Sequence, residues 1–178
     1  YDADADSNGD IIVSQYNRDG VKKFVYASSS SDTGFGNNGV SGKGNSKYEG
    51  NSNCKTSYSY SGEVYNDVFY TTAYYERAVV AIRASDGRCL NKYNLGGNPY
   101  NMTMDGKKMY VGGSFGFKII DVNSGSITNC NVSSNLRLSY GTSVDAGAIY
   151  SYRNNRIYRF PLNQSGGCPA TSGGSFRY

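Results

Sequence analysis

The chain has 178 residues, 38% of them hydrophobic, and a formal net charge of +4 from 18 basic and 14 acidic residues. It contains no His and no Trp, which excludes catalysis by a histidine base and removes the commonest ligand of zinc and iron sites. With 23 Gly and 18 Tyr, the composition predicts an all-β chain of short strands joined by tight turns.

The N-terminal stretch carries a carboxylate at every second position and then, after a Ser-Asn-Gly sequence, one more before three aliphatic residues. This spacing resembles the DxDxDGxxD calcium loop of integrin α-type propeller blades, with Ser7 in place of the usual Gly. The resemblance implies these calcium ligands: Asp2, Asp4, Asp6 and Asp10. An EF-hand start fits the same region, with Gln15 in place of the bidentate Glu and with these further matches: Asp4, Asp6, Asn8, Gly9 and Ile11. A frayed, acidic chain end is the alternative without a metal.

The next segment predicts a hairpin, with strands over 11–16 and 21–27 and a turn at 17–20. Residues 28–53 are rich in Ser, Gly and Asn and have almost no aliphatic side chains. Such a composition favours a surface loop or linker. We expect it to be an insertion between strands of an irregular first repeat, 1–57.

From residue 58 onward the sequence repeats. Tyrosine pairs recur with a period of 40 residues, as Tyr60 and Tyr70, Tyr100 and Tyr110, and Tyr140 and Tyr150. In each copy a first strand and a turn lead to a second strand that ends at the tyrosine. A third strand carries the equivalent apolar residues Ile82, Ile120 and Phe160. The final strand of each copy is predicted to carry the cysteine, as in 88–93 and 126–130. Four-stranded antiparallel units of this length are typical of β-propeller blades.

These observations predict an all-β, β-propeller-like array of about four four-stranded antiparallel blades within a single domain, 1–178. The three regular repeats are 58–97, 98–137 and 138–178. The chain begins at Tyr1 rather than Met, so we expect a processed chain or part of a longer one.

Two segments resemble known propeller families. Residues 78–93 resemble the AlDaxtGkxlW stretch of quinoprotein-type blades, although Arg83 replaces the usual Asp and Asn91 stands near the usual Trp. Residues 98–111 resemble the NPxgxxxspDGkxlYv opening of surface-layer (YVTN-type) blades, and 119–125 fit their viDtxtg segment. The resemblance implies an extracellular or periplasmic binding and scaffolding fold. It does not imply quinone chemistry, because the Trp and charged groups that hold that cofactor are lacking.

The tyrosines have two explanations. At strand ends they supply core packing with a polar tip, as a β core without Trp requires. A Tyr-rich exposed surface for carbohydrate stacking, self-assembly or oxidative cross-linking is the alternative. The candidates for that surface lie outside the strand-end register or next to one another: Tyr58, Tyr60, Tyr74 and Tyr75.

Four cysteines follow the repeat at intervals of 35, 41 and 38 residues. None forms a Cys-x-x-Cys pair, so disulfides in an oxidising compartment are favoured over zinc, with buried free thiols as the alternative. Three pairings remain open, and we favour Cys54–Cys89 with Cys130–Cys168 because they join neighbouring repeats. Three sequons agree with an extracellular chain and are candidate glycosylation sites: Asn101, Asn131 and Asn163.

The basic residues are scattered, and the Arg-rich segment 150–159 is interpreted as a solvated hairpin, so we expect no nucleic-acid partner. No apolar run has the length of a membrane span. The leading hypothesis is a non-enzymatic, extracellular β-repeat protein for adhesion or assembly, self-associating as a surface-layer or filament subunit. The alternative is a carbohydrate- or protein-binding propeller domain, and the third candidate is a carboxylate-only glycosidase.

Overall fold

The structure is a computed structural model and describes residues 2–15, 20–42, 54–139, 141–163, 167–171 and 173–177. The chain divides into two compact units, Tyr1–Asn98 and Pro99–Tyr178. Among the described residues, sixteen strands form four antiparallel sheets, two in each unit. In every sheet the strands follow one another in chain order, and short turns join most of the consecutive strands. The predicted fold class is confirmed.

The first unit contains sheets 1 and 2. Sheet 1 consists of β1 (Asp2–Ala5), β2 (Ile11–Ser14), β3 (Val21–Val25) and β4 (Ser30–Ser31). A short 3₁₀ helix, Tyr26–Ser28, connects its last two strands. The hairpin predicted in this region is formed by β2 and β3, and residues 16–19 between them lie outside the described part. Sheet 2 consists of β5 (Gly62–Tyr65), β6 (Val68–Ala73), β7 (Ala78–Arg83) and β8 (Cys89–Asn94).

The second unit contains sheets 3 and 4. Sheet 3 consists of β9 (Pro99–Asp105), β10 (Lys108–Gly113), β11 (Gly116–Asp121) and β12 (Ile127–Cys130). A one-turn helix, α1 (Ser134–Arg137), comes next; it was not predicted, and Ser133 accepts a hydrogen bond from Asn135 N–H at its start. Sheet 4 consists of β13 (Gly141–Asp145), β14 (Ala148–Arg153), β15 (Arg156–Pro161) and β16 (Gly174–Arg177).

The turns explain why the strands pair in this register. Asn66 and Asp67 both have positive φ, 49° and 55°, between β5 and β6. Asn154 and Asn155 have φ of 52° and 55° between β14 and β15. Two consecutive residues with positive φ match the right-handed twist of the flanking strands, and Asn and Asp tolerate this conformation better than most residues.

The second strand of each regular sheet carries the repeat tyrosine, but as its third residue rather than its last. The structure therefore corrects the predicted strand end. Tyr70 and Tyr110 are buried, at 6% and 1% exposure, and Tyr150 is half-buried; Tyr140 lies outside the described residues. Burial, with smaller contributions from Tyr93 and Tyr65, raises the pKa of Tyr70 to about 12. Tyr70 and Tyr110 are core residues.

Residues 28–53 are predicted to be an insertion between strands of one sheet, and the described part of this segment differs from that prediction. It contains β4, so sheet 1 is complete at Ser31, and the residues after it connect sheets 1 and 2 instead of interrupting a sheet. Phe35 is fully buried and Gly36 N–H donates to Asp86 O at 2.8 Å. Ser41 also pairs with Val21. A buried aromatic ring and backbone hydrogen bonds thus hold residues 32–42 against the core, and residues 43–53 lie outside the described part.

Candidate functional site

The four tyrosines proposed as a surface lie against one another and are called the tyrosine cluster: Tyr58, Tyr60, Tyr74 and Tyr75. Tyr58 and Tyr75 have ring centroids 4.7 Å apart at 84°, and Tyr74 and Tyr75 are 5.2 Å apart at 84°. The rings of Tyr60 and Tyr74 are 5.4 Å apart at 65°. All three contacts have the edge-to-face geometry that aromatic pairs favour. Two pairs that are distant in sequence thus form one continuous aromatic surface.

Backbone hydrogen bonds hold the two segments that carry the cluster. Thr72 Oγ1 on β6 accepts from the N–H groups of Tyr60 and Ser61, at 2.9 and 3.1 Å. Thr72 N–H donates to Ser61 O at 2.9 Å. The turn between β6 and β7 closes through Arg77 N–H and Tyr74 O at 3.1 Å, with Arg77 at φ 53°. The segment before β5 is therefore fastened to the strand that leads into the turn.

The cluster is open to solvent at two of its rings. Tyr75 is 59% exposed and Tyr60 is 37% exposed, whereas the other two rings are half-buried. Tyr58 adopts φ 54°, a conformation that is rare for a bulky residue and concentrates at functional sites. Beside the cluster, the Glu76 carboxylate accepts from Ser57 Oγ at 3.3 Å and lies 3.8 Å from Lys92 Nζ. Aromatic rings and a carboxylate thus lie side by side at one surface.

The acidic N-terminal residues divide into two pairs with different roles. Asp2 Oδ2 accepts from Gly62 N–H at 2.9 Å, and Asp4 Oδ2 accepts from Val64 N–H at 2.7 Å. Both donors belong to β5, the edge strand of sheet 2. Alternate residues of a strand point to the same side, so the two-residue spacing of the carboxylates matches the spacing of the edge N–H groups. These side chains cover an edge that would otherwise be open to strand addition.

The second pair, Asp6 and Asp10, lies around the ammonium group of Lys23. Lys23 Nζ is 2.7 Å from Asp6 Oδ2, 3.1 Å from Asp10 Oδ2 and 3.2 Å from Ala84 O. The side chains of Lys23 and Asp6 are 5% and 2% exposed. Asp6 Oδ1 also accepts from the N–H groups of Asn8 and Asp10, at 2.9 and 3.0 Å. This buried ion pair connects sheet 1 to the end of β7.

Two opposing effects set the pKa values of the pair. Burial by itself would raise the pKa of Asp6, but the hydrogen bonds from Lys23 and from two backbone N–H groups outweigh it and lower that pKa. Burial by itself would lower the pKa of Lys23, but its hydrogen bonds to Asp6 and Asp10 outweigh it and raise that pKa. Both groups are therefore charged at neutral pH.

This donor set does not fit a calcium ion. Calcium requires six to eight oxygens around one point, whereas Asp2 and Asp4 bind β5 and the other pair of carboxylates holds an ammonium group. The described residues contain no group of three or more His, Cys, Asp or Glu side chains that could hold a metal. The EF-hand alignment meets the same difficulty, because it also needs Asp4 and Asp6. Calcium binding stays an untested prediction.

Both favoured disulfides are present. Cys54–Cys89 has a Cα–Cα distance of 6.0 Å and Cys130–Cys168 one of 5.4 Å, within the usual range. Cys89 and Cys130 lie on fourth strands, as predicted for them. Cys54 lies in the segment that connects sheets 1 and 2. Cys168 precedes β16, so the prediction that the final strand carries the cysteine is wrong for the last copy.

The three sequons differ in accessibility. Asn101 lies on β9 at 2% exposure, and its Nδ2 donates to Ser139 O at 3.2 Å, so the folded chain has no space for a glycan there. Asn131 is exposed. Asn163 is exposed too, but the other residues of its sequon, 164 and 165, lie outside the described part. Glycosylation itself remains a prediction for these two sites.

The Arg-rich segment 150–159 is the predicted hairpin, formed by β14 and β15. Arg153 Nη1 donates to Ser134 O at 2.7 Å and Arg159 Nε to the Tyr150 hydroxyl at 3.3 Å. Two of its arginines are thus engaged within the fold.

Among the described residues, none of the helices has the length and apolar character of a membrane span.

In the first unit, the buried Lys23 and an open cleft were not predicted from the sequence. Lys23 has no sequence signal of its own, because it is one of two adjacent lysines in the third strand. An open cleft of about 350 Å³ in the first unit is formed by three turns and Leu90: residues 6–8, 66–68 and 83–85. Turns distant in sequence form it, so no local motif indicates it.

The solved structures that the chain resembles include propellers. It is similar to hydrazine synthase of Kuenenia stuttgartiensis (TM-score 0.68, 10% identity, 99% of this chain and 49% of that one). It is similar to the RRP9 WD40 repeats, with a TM-score of 0.68 and 8% identity over 94% of this chain and 47% of that one. It is also similar to a functionally unknown protein from Desulfotomaculum acetoxidans, with a TM-score of 0.66 and 14% identity over 99% of this chain and 56% of that one. No protein-family model and no curated protein matches the sequence.

The chain spans about half the length of these structures. With such low identities, the likeness shows the fold alone. Together with four sheets of four consecutive antiparallel strands, it defines the chain as an all-β, β-propeller-type repeat protein. The finer resemblance to quinoprotein-type and YVTN-type blades stays a prediction.

Proposed function

We propose that this chain is a non-enzymatic, extracellular β-propeller-type domain that acts in adhesion, and that the tyrosine cluster is its contact surface. Two disulfides support an oxidising compartment. A sequence of 178 residues without His supports a binding role over a catalytic one.

The exposed tyrosine cluster is the observation that carries this proposal. Tyrosine is enriched at protein interfaces because it presents an apolar face and a polar tip at low entropic cost. Tyr75 and Tyr60 present such faces to solvent, and Glu76 offers a carboxylate acceptor beside them. Pyranose rings combine an apolar face with hydroxyl donors, so carbohydrate is the ligand class that this surface fits.

A glycan array tests the proposal, with binding to at least one glycan class expected. Tyr75→Ala should weaken that binding by at least about tenfold, which corresponds to ~1.4 kcal/mol. The matched control is Tyr26→Ala, because Tyr26 is 79% exposed but lies at the 3₁₀ helix. Failure to bind any glycan, or an equal loss in both variants, would contradict a carbohydrate-binding cluster.

Self-association is a second candidate, and the edge strands favour it. The fourth strands β8, β12 and β16 are sheet edges, and each exposes a large apolar side chain: Leu90 at 43%, Ile127 at 37% and Phe176 at 65%. An exposed edge with apolar side chains favours the addition of a strand from another chain.

Light scattering across a concentration series tests this second candidate. Oligomers or filaments should form in the native chain, and Phe176→Lys or Ile127→Lys should reduce them, because lysine at an edge opposes strand addition. Phe24→Lys is the control, since Phe24 is 40% exposed but lies on β3, an interior strand of its sheet. A monomer at every concentration would end the assembly hypothesis.

A further inference from the structure

We propose that the tyrosine cluster is a site of oxidative coupling, and that Tyr58 and Tyr75 of one chain form a dityrosine bond there. The co-reactant is hydrogen peroxide together with a one-electron oxidant such as a peroxidase. This inference does not depend on glycan binding, so the two can fail separately.

Proximity is the first support. The two rings have centroids 4.7 Å apart, the shortest of the three distances in the cluster, and they meet edge to face. The carbons ortho to each hydroxyl lie on the ring edge, and reacting groups held in contact have effective molarities far above any concentration of a second chain. Coupling within the chain is therefore favoured over coupling between chains.

Location is the second support. Tyr58 precedes β5, and Tyr75 lies in the turn between β6 and β7. Neither residue lies within a strand, and the Tyr75 side chain is 59% exposed. Exposed side chains change rotamer within nanoseconds, so rotation of the Tyr75 ring can take the pair from its 84° orientation into one that joins two ring edges.

Access to the oxidant is the third support. Tyr75 is 59% exposed and receives the oxidant directly. It contacts the rings of both Tyr58 and Tyr74, and Tyr74 contacts that of Tyr60, so a radical formed on any member lies next to another phenol. The core tyrosine Tyr70 is nearly inaccessible.

The reaction balances without any group from the protein beyond the two phenols. Each tyrosine loses one electron and its phenolic proton to become a phenoxyl radical. The radicals join through a carbon–carbon bond between ortho positions, and each ortho hydrogen then moves to the oxygen to restore the phenol. The two electrons and two protons reduce one hydrogen peroxide to two waters.

The product would join the segment before β5 to the turn between β6 and β7. Those segments are already connected through Thr72 and by the contacts within the cluster. A covalent bond would fix the relative position of the exposed rings and so preorganise the surface. Preorganisation of this kind strengthens binding by lowering its entropic cost.

The experiment oxidises dilute native protein with a peroxidase and hydrogen peroxide. We expect dityrosine fluorescence and an intact mass lower by two hydrogens in a chain that remains monomeric. Both tyrosines lie in one tryptic peptide, 56–77, so a second cleavage after Glu63 and Glu76 is needed. Peptides 56–63 and 64–76 should then remain joined, and fragmentation should locate the bond at Tyr58 and Tyr75.

Phenylalanine variants keep the ring and remove the reactive hydroxyl. Tyr58→Phe and Tyr75→Phe should each lower the yield of the linked peptides 56–63 and 64–76 by at least about tenfold, as expected when a proximal partner is lost. Tyr26→Phe should leave the yield unchanged, although Tyr26 is the more exposed at 79%. Circular dichroism checks that each variant is folded.

Three outcomes would overturn the proposal. Dityrosine confined to covalent dimers would show coupling between chains. A bond at Tyr60 and Tyr74 would refute the assigned pair. A larger loss in Tyr26→Phe than in Tyr75→Phe would show that exposure alone decides reactivity.

Discussion

Sheets 1 and 2 share one plan of four antiparallel strands, but their interiors differ in chemistry. The second residue of the second strand pairs with a buried residue of the third strand in both, as Ile12 with Lys23 and as Phe69 with Ile82. Lys23 is 4% exposed and Ile82 is fully buried. One position in the repeat thus holds a charged residue in sheet 1 and an aliphatic one in sheet 2.

In the second unit, both sheets have apolar residues at this position, as sheet 2 does. Met109 pairs with Ile120 in sheet 3, and Ile149 pairs with Phe160 in sheet 4. All four of these side chains are buried, at 0–1% exposure. Sheet 1 is therefore the exception within the repeat.

The turn before β2 explains how sheet 1 accommodates a buried lysine. Residues 6–10 separate β1 from β2, whereas only Asn66 and Asp67 separate β5 from β6. The longer turn carries Asp6 and Asp10, which surround the ammonium group. Burying a charge is tolerated only when it is paired and hydrogen-bonded, so the turn and the lysine depend on each other.

The largest effect is expected from placing a lysine at the apolar position of sheet 2. Ile82→Lys buries an ammonium group where the turn before β6 carries one carboxylate, Asp67, in place of the two that surround Lys23, and should cost about 5 kcal/mol or more of the free energy of unfolding. Urea denaturation measures it. Ile82→Met is the control, with a loss below about 1.5 kcal/mol because volume is conserved. A small loss in Ile82→Lys would mean that this interior accepts a charge without a pair of carboxylates around it.

Removing the lysine from sheet 1 should have the next largest effect. Lys23→Met leaves Asp6 buried without its cation, and breaking a buried pair in this way costs about 3–5 kcal/mol. Lys22→Met is the matched control, because Lys22 is the half-buried neighbour on the same strand. Equal losses in the two variants would contradict a specific role of the ion pair.

A triple variant converts sheet 1 towards the apolar version. Lys23→Ile combined with Asp6→Asn and Asp10→Asn removes the whole ion pair, and should recover most of the stability lost in Lys23→Met. The amide oxygen introduced at position 6 can still accept the backbone hydrogen bonds of the turn. Failure to recover would show that the charges are needed for more than mutual neutralisation.

The pH dependence is set by the two pKa shifts. The pKa of Asp6 is lowered from 3.8 on folding, so its stabilisation is complete above pH 3.8 and is lost as the pH falls through the lower folded pKa. The pKa of Lys23 is raised from 10.5, so its stabilisation is complete below pH 10.5 and is lost as the pH rises through the higher folded pKa. Urea midpoints of the native chain and Lys23→Met should differ most between these limits and converge in acid. A difference that does not shrink as the pH falls below 3.8 would contradict the assignment to Asp6.

The smallest effect is expected at the edge of sheet 2. Asp2→Ala and Asp4→Ala each remove one acceptor from β5 and should cost about 1 kcal/mol each. Hydrogen exchange should accelerate at the amides of Gly62 and Val64, which these carboxylates bind. The amide of Tyr70, within β6, is the internal reference. Uniform acceleration across sheet 2 would indicate general destabilisation instead.

Much of the architecture was predictable because its causes are local. The turns at Asp105-Gly106, Ala146-Gly147 and Asn154-Asn155 and the short apolar runs between turns specify where strands start and pair. The regular cysteine spacing led to the pairing that the structure has, since neighbouring repeats bring such residues together. Prediction was less successful for residues 28–42, where the buried Phe35 overrides a loop-like composition.

The acidic N-terminus shows where sequence patterns reach their limit. The spacing of Asp2, Asp4, Asp6 and Asp10 is compatible with a calcium loop, with an EF-hand start and with the observed contacts, because all three need carboxylates at short intervals. The observed contacts depend on the positions of Lys23 and of the β5 N–H groups. Those partners lie outside the acidic segment, so no local pattern reports them.

The sequence by itself determined an all-β repeat of four-stranded units, through turn chemistry and a 40-residue period. Only the tertiary structure decided which tyrosines are core and which are surface, because that depends on what packs against each strand. Tyr70 and Tyr110 lie in the core, whereas Tyr58 and Tyr75 come from separate segments to form one exposed cluster. Proximity between distant segments is created by folding, and with it the chemistry that this surface can perform.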